Sequence, residues 1–263
     1  AYGRRFWQDE YRLNAKLAMF PKPIVTFLHG FTMGGGVGLG CHATHRIVCE
    51  TSQIAMPEVT IGLVPDVGGS LLLARAPGNT GDYLAITAAR MGPGDAIFAG
   101  FADHFVPEAE WPALKDALRR TLEIPSHDAP EAPLSAVQGE LDHHFYGFTP
   151  ADILRSLEGS ETAFAQDAAK KISRHSPLAM AAGLETLRRL RSTQDITRAL
   201  ELEYRFTFRA MEHGDFLEGI RAQIIDKDRQ PKWRHDVRAL PAAEVSKMLR
   251  PLGPDTLNLE DPQ

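Results

Sequence analysis

Three consecutive glycines, Gly34, Gly35 and Gly36, follow an apolar run at residues 24–28, and two carboxylates come soon after them. These are Glu58 and Asp66, each preceded by a proline and set in otherwise apolar sequence. A glycine has no side chain to cover its amide, so a turn built from three of them leaves N–H donors facing outward. Such a turn can hold an anionic oxygen. The residues after it, Val37, Leu39 and Cys41, are compatible with a helix that starts at the glycines, which adds the positive end of a helix dipole. Fixed donors for an oxyanion, next to carboxylates able to attack a carbonyl or move a proton, point to acyl chemistry.

Other reactive residue types carry less. His42 and His45 sit three apart near a predicted helix end, but no cysteine or carboxylate completes a ligand set, so no metal site is expected. Asp142, His143 and His144 form a polar cluster in a loop-like segment and read as solvated surface. No serine occupies a G-x-S-x-G elbow, which removes support for a serine thioesterase of the α/β-hydrolase type. The basic residues Arg188, Arg189 and Arg191 read as a solvent face.

The elements that must position the glycines and the carboxylates begin with a helix at about residues 4–20. Pro21 and Pro23 close it, and it carries Glu10 on or near its apolar side. A strand at 24–28 feeds the glycine turn, a helix runs to about residue 44, and strands follow at 46–49 and 52–55. The segment from Pro57 to Asp66 is expected to be a loop anchored by Ile61 and Leu63. Helices are predicted from Gly69, over 82–90 and near Pro93, then a last strand over 103–106. The order strand, turn, helix, strand predicts parallel pairing and an α/β fold. Beyond residue 106 the pattern becomes helical. One amphipathic helix is expected over 107–123, with Trp111, Leu114 and Leu118 on one face. A linker is expected at 124–133, then helices at 150–159, 161–174, 177–191 and 195–212, and a shorter one from residue 215. The domain division that follows is a core at 1–123 and a helical region with a C-terminal tail at 124–263.

Composition bounds the partners. With 43% hydrophobic and 24% charged residues, 263 residues suffice for a large buried core. A formal net charge of −5 with mixed signs leaves no basic footprint, so nucleic acid is not an expected partner. The two cysteines, Cys41 and Cys49, make no disulfide framework and suit a reducing compartment. A cytoplasmic location is expected, or a mitochondrial one in a eukaryote. No apolar run approaches the ~20 residues of a membrane span, and no membrane association is expected.

Three stretches carry a family resemblance. TMGGGVGLG, AMPEVTIGLVPDVGG and RMGPGDAIFAGFADHFVP resemble the enoyl-CoA hydratase/isomerase (crotonase) superfamily, and within it the 3-hydroxyisobutyryl-CoA hydrolases. The C-terminal EYRFTFRAMEHGDFLEGIRAQIIDKDRQPKW is similar to the same hydrolase subfamily, so the likeness runs to about Trp233. The resemblance implies a crotonase-like β-β-α spiral core, with its N-terminal strands missing here, and a C-terminal helical region. It implies a site that binds an acyl-CoA thioester and steadies its oxyanion with two backbone N–H groups, one of them matched by Gly35. The other belongs, in the family, to a glycine-rich loop preceding the part that matches Ala1. A separate N-terminal piece or a homo-oligomer is therefore an expected partner, beside the acyl-CoA substrate.

The resemblance also sorts the carboxylates. Hydratases of the superfamily use two glutamates; the first falls on Gly38, which has no side chain, and the second on Glu58. The hydrolase pattern adds Asp66. By resemblance, Glu10, Gly35, Glu58 and Asp66 surround the acyl group. Glu58 is then nucleophile or general base, Asp66 orients water or the substrate hydroxyl, and Glu10 binds that hydroxyl. Lys227, by its place in the tail, is a candidate for the CoA phosphates. The implied reaction is hydrolysis of 3-hydroxyisobutyryl-CoA, as in valine breakdown, or of a near relative such as 3-hydroxypropionyl-CoA. No cofactor is required, since coenzyme A is part of the substrate. The alternatives are hydratase or isomerase activity with Glu58 alone, and a non-catalytic acyl-CoA-binding remnant.

Overall fold

A computed structural model of the chain describes residues 2–125 and 127–260. The first helix, Tyr2–Ala18, buries Trp7, Tyr11, Asn14 and Ala15, a three-to-four-residue spacing that lays one stripe against the rest of the protein. Both of its ends lie two residues nearer the N-terminus than expected.

The chain then makes two parallel turns of a spiral. Strand β1 (Val25–Leu28) bends at Gly30, where φ is +57°, into β2 (Phe31–Met33) and the helix Gly35–Gly40. Strand β3 (His45–Val48) leads likewise into β4 (Gln53–Ala55) and a tight 3-10 turn at Glu58–Ile61. β3 pairs parallel to β1, with Leu28 opposite Val48, and β4 pairs parallel to β2, with Met33 opposite Ala55. β5 (His104–Phe105) joins the far side of β3, giving the order β1-β3-β5. This is the β-β-α spiral, in which corresponding bends of successive turns stack.

Sequence reading missed β2. A three-residue strand whose first residue, Phe31, is 71% exposed has no periodicity to detect. It also drew the next helix too long. The helix stops at Gly40, with the Cys41 amide donating to the Val37 carbonyl, since four of its six residues are glycines with poor helix propensity. The helix expected over 107–123 is a 3-10 turn at Glu108–Glu110 followed by Trp111–Leu118. Trp111 and Leu114 are buried and pack with Ile47, Cys49 and Val106 as a small cluster on the outer face of β3; Leu118 lies half-buried at its edge. Of the segment 124–133, residue 126 lies outside the described residues. The rest leads to Leu134, whose amide donates to Asp95 Oδ1 at 2.9 Å.

The C-terminal helices have well-marked starts. Thr149, Thr162, Ser176 and Asp195 each accept, through a side-chain oxygen, an amide from the first turn of Pro150–Glu158, Ala163–Ile172, Pro177–Leu190 and Ile196–His213 respectively. Proline at the first position of two of these helices costs no hydrogen bond, because that amide has no intrahelical acceptor. One apolar core joins the spiral to these helices, running from Trp7 and Tyr11 through Val59, Val64 and Leu73 to Leu184, Leu202 and Phe206. The first helix lies along Ile196–His213, with the Tyr11 and Tyr204 rings edge to face at 6.1 Å and Arg4 paired to Glu212 at 2.9 Å.

Candidate active site

The bend at the end of β2 creates the first half of the site. Gly34 has φ +51°, a conformation that favours glycine. A Cβ there would also lie 2.8 Å from Glu58 Oε1, and one on Gly35 would lie 3.1 Å from Glu10 Oε1. The missing side chains are therefore what lets two carboxylates reach this backbone. Gly35 opens its helix, so its amide has no intrahelical carbonyl to meet.

The corresponding bend of the second turn supplies the acids. Glu58 opens the 3-10 turn after β4 and is buried, and among the described residues its Oε2 has no hydrogen-bond partner. Burial, and then the charge of Asp66, push its carboxyl well above the usual range. Asp66 follows in the loop, also buried, and its Oδ2 accepts a 2.8 Å bond from the Tyr11 hydroxyl. Burial, followed by the charge of Glu203, raises this carboxyl too, against the lowering effect of the Tyr11 bond. Two buried neighbours of like charge ionise one after the other rather than together. Glu10 is half-buried at the mouth, and burial raises its carboxyl.

Glu10, Gly35, Glu58 and Asp66 thus line one cavity of about 340 Å³, the remainder of whose wall is mostly apolar. An acid next to bare amides in an apolar hollow can act on a carbonyl carbon while the amides take the developing oxyanion.

Sequence reasoning did not find Tyr11, Glu203 or Ser70. Glu203, in the middle of Ile196–His213, accepts from the Gly68 amide at 2.9 Å, the Ser70 amide at 3.2 Å and the Ser70 hydroxyl, fixing the turn that follows Asp66. A lone glutamate on the apolar face of a strongly patterned helix is the signal that was available.

Other polar residues are engaged elsewhere. Asp142, His143 and His144 belong to the helix Gln138–His144 and not to a loop. His144 is buried, its Nδ1 2.8 Å from Ser156 Oγ, and Asp142 accepts the Asn79 amide at 2.8 Å, so the cluster ties helices together. His42 Nε2 lies 2.8 Å from the Val67 carbonyl oxygen while His45 sits on β3. Among the described residues no group of three or more His, Cys, Asp or Glu side chains could hold a metal ion, and no helix is long and apolar enough to cross a membrane. Arg189 pairs with Glu185 and Arg191 with Asp82, while Arg188 lies over the Phe148 ring, so the basic run is tied down as well as solvated. Lys227 is exposed, with φ +57°, and does not line the cavity.

A parallel β-β-α spiral with buried acids facing a glycine bend defines a crotonase-fold protein, and the sequence model of the enoyl-CoA hydratase/isomerase family matches residues 1–249. The chain belongs to that family. Within it, the chain is 35% identical to the human mitochondrial 3-hydroxyisobutyryl-CoA hydrolase and 36% identical to the rat protein of the same name. These matches cover 96% and 94% of this chain, and 69% and 68% of the relatives. Among solved structures, an enoyl-CoA hydratase from Rhodobacter sphaeroides 2.4.1 is 60% identical with a TM-score of 0.96, covering 98% of this chain and 77% of that one. A carnitinyl-CoA dehydratase from Mycobacterium thermoresistibile is 39% identical with a TM-score of 0.88, covering 98% and 76%.

Proposed function

We propose that this protein hydrolyses a 3-hydroxyacyl-CoA thioester, with 3-hydroxyisobutyryl-CoA as the first substrate to test, to the free hydroxy acid and CoA. Such a step belongs to valine breakdown. The supporting observation is the buried Glu58 carboxylate set against Gly34, with Glu10 against the adjoining Gly35 and Asp66 lining the same apolar cavity. Glu58 delivers the attack, directly on the carbonyl carbon or through a water it deprotonates. The C–S bond breaks, CoA leaves as thiolate, and one water is consumed overall. The Gly35 amide takes the oxyanion, Asp66 orients the water or the substrate hydroxyl, and Glu10 binds the 3-hydroxyl.

The names of the similar solved structures favour a second reading, hydration of an enoyl-CoA. One observation weighs against it. A hydratase of this family needs a second acid at the position of Gly38, where a Cβ would lie 2.6 Å from the Val67 Cβ and 2.7 Å from Asn14 Nδ2. The room for that acid is filled. Gly38→Glu is therefore expected to create no hydratase activity and to lower stability by about 1–3 kcal/mol or more through overpacking, read from thermal unfolding.

The two reactions separate in one assay. Thiol release from 3-hydroxyisobutyryl-CoA, without loss of enoyl thioester absorbance from crotonyl-CoA, supports hydrolysis, and the reverse pattern sinks it. Binding of acyl-CoA with neither reaction would leave a non-catalytic remnant. Glu10→Gln is expected to reduce the preference for 3-hydroxyacyl over plain acyl thioesters by about tenfold, measured as a ratio of kcat/KM values. An unchanged ratio would remove Glu10 from hydroxyl recognition.

A further inference from the structure

The acyl cavity adjoins a second hollow. At Glu10 and Gly35 it meets an outer groove of about 570 Å³ that runs along the exposed side of the first helix, past Phe6 and Leu13. Trp7, one residue round that helix from Phe6, faces inward and lines only the inner cavity, as does Phe216. The two rings meet there at 5.6 Å between centroids, tilted by 60°. We infer that Trp7 and Phe216 form the end wall of the acyl cavity and limit the acyl group to short chains of about four carbons, a reading that rests on the hydrolase proposal above.

The wall is held in place by the same turn that carries Glu58. Phe216 opens the helix Phe216–Ile220, which packs so closely on Glu58–Ile61 that side chains are excluded at two points. A Cβ on Gly62, where φ is +75°, would lie 2.6 Å from the Asp215 carbonyl carbon, and one on Gly219 would lie 2.1 Å from the Ile61 carbonyl oxygen. Asp215 is itself buried and anchored, accepting from the Ser176 hydroxyl at 2.6 Å and the Arg234 amide at 3.1 Å. The distance between the attacking acid and the aromatic wall is thus set by backbone-to-backbone packing and cannot relax easily to admit a longer chain. A volume of about 340 Å³ sits at the small end of the ~300–1,000 Å³ typical of ligand pockets, which agrees with a short acyl group.

The test measures thiol release from 3-hydroxyacyl-CoA thioesters of four, six and eight carbons by the wild type, Phe216→Ala and the milder Phe216→Leu, with folding of each variant checked by circular dichroism. The wild type is expected to lose about tenfold or more in kcat/KM between four and six carbons. Phe216→Ala should bring the two within about threefold, mainly by lowering KM for the longer chain, with Phe216→Leu in between. Wild-type activity indifferent to chain length, or folded variants that keep the wild-type ratio, would overturn the inference. Should no thioester be turned over, the hydrolase reading fails separately. Calorimetric affinities for the same acyl-CoA series then test the wall alone: selectivity for four carbons that Phe216→Ala relaxes supports it, and its absence refutes it.

Discussion

Glu58→Gln is expected to cut thioester hydrolysis by about 10³-fold, with the loss in kcat and little change in KM. Glutamine keeps the size and the position of the side chain beside Gly34, so acyl-CoA still binds, but it can neither attack a carbonyl nor take a proton from water. The same substitution should leave the thermal midpoint at neutral pH unchanged or slightly raised. Burial and Asp66 hold the Glu58 carboxyl far above its ordinary range, so ionising it opposes folding, and a neutral amide removes that opposition. Lost activity with retained stability would identify an acid kept for chemistry. Full thiol release by the variant would remove Glu58 from the mechanism.

The second large effect concerns Glu203, which touches no substrate. Replacing it with alanine leaves the buried Gly68 and Ser70 amides without their acceptor, at about 1–3 kcal/mol for each. The expected loss is therefore about 2–6 kcal/mol in chemical denaturation. Activity should fall further than the residual folded fraction explains, because the turn those amides fix is the one that follows Asp66.

Glu203→Gln gives a cleaner signature. Burial pushes this carboxyl up to about 7, against the lowering effect of its three donors. A folded value above the unfolded one means that the folded protein keeps a proton the unfolded chain has released. Its contribution to stability is present below about 4.5 and lost as pH rises through about 7, a change of about 3 kcal/mol. His42 and His175, both lowered chiefly by burial, act in the opposite direction over the acidic part of that range. The wild-type slope alone is thus mixed. The difference between wild type and Glu203→Gln removes the histidine contribution and leaves Glu203 together with the part of the Asp66 shift that its charge causes; both act in the same direction, so the variant should gain stability relative to wild type between pH 5 and 8. A constant difference across that window would mean that Glu203 is ionised throughout.

The chemistry of this protein was more legible than its supports. Gly34 to Gly36, Glu58 and Asp66 stand out because each is an unusual type for its surroundings, and the structure gathers them, with Glu10, around one cavity. The helix starts at Pro150 and Pro177 were readable because proline at a first helical position is a local signal. The ties of the site were not. Tyr11 meets Asp66 across 55 positions and Glu203 meets Gly68 across 135, and no local periodicity reports such meetings. His144 was misplaced for a related reason. Its neighbours Asp142 and His143 look like solvent-facing residues, and only the partner helix, through Ser156, makes its burial favourable.

The bonds from Tyr11 and Glu203 divide the cavity into two kinds of order. The glycine bend is built from residues next to one another in the chain, whereas Asp66 and the turn after it are fixed by the helices Tyr2–Ala18 and Ile196–His213, far away in sequence. Any disturbance that loosens the docking of those helices is therefore expected to reach Asp66 before it reaches the bend.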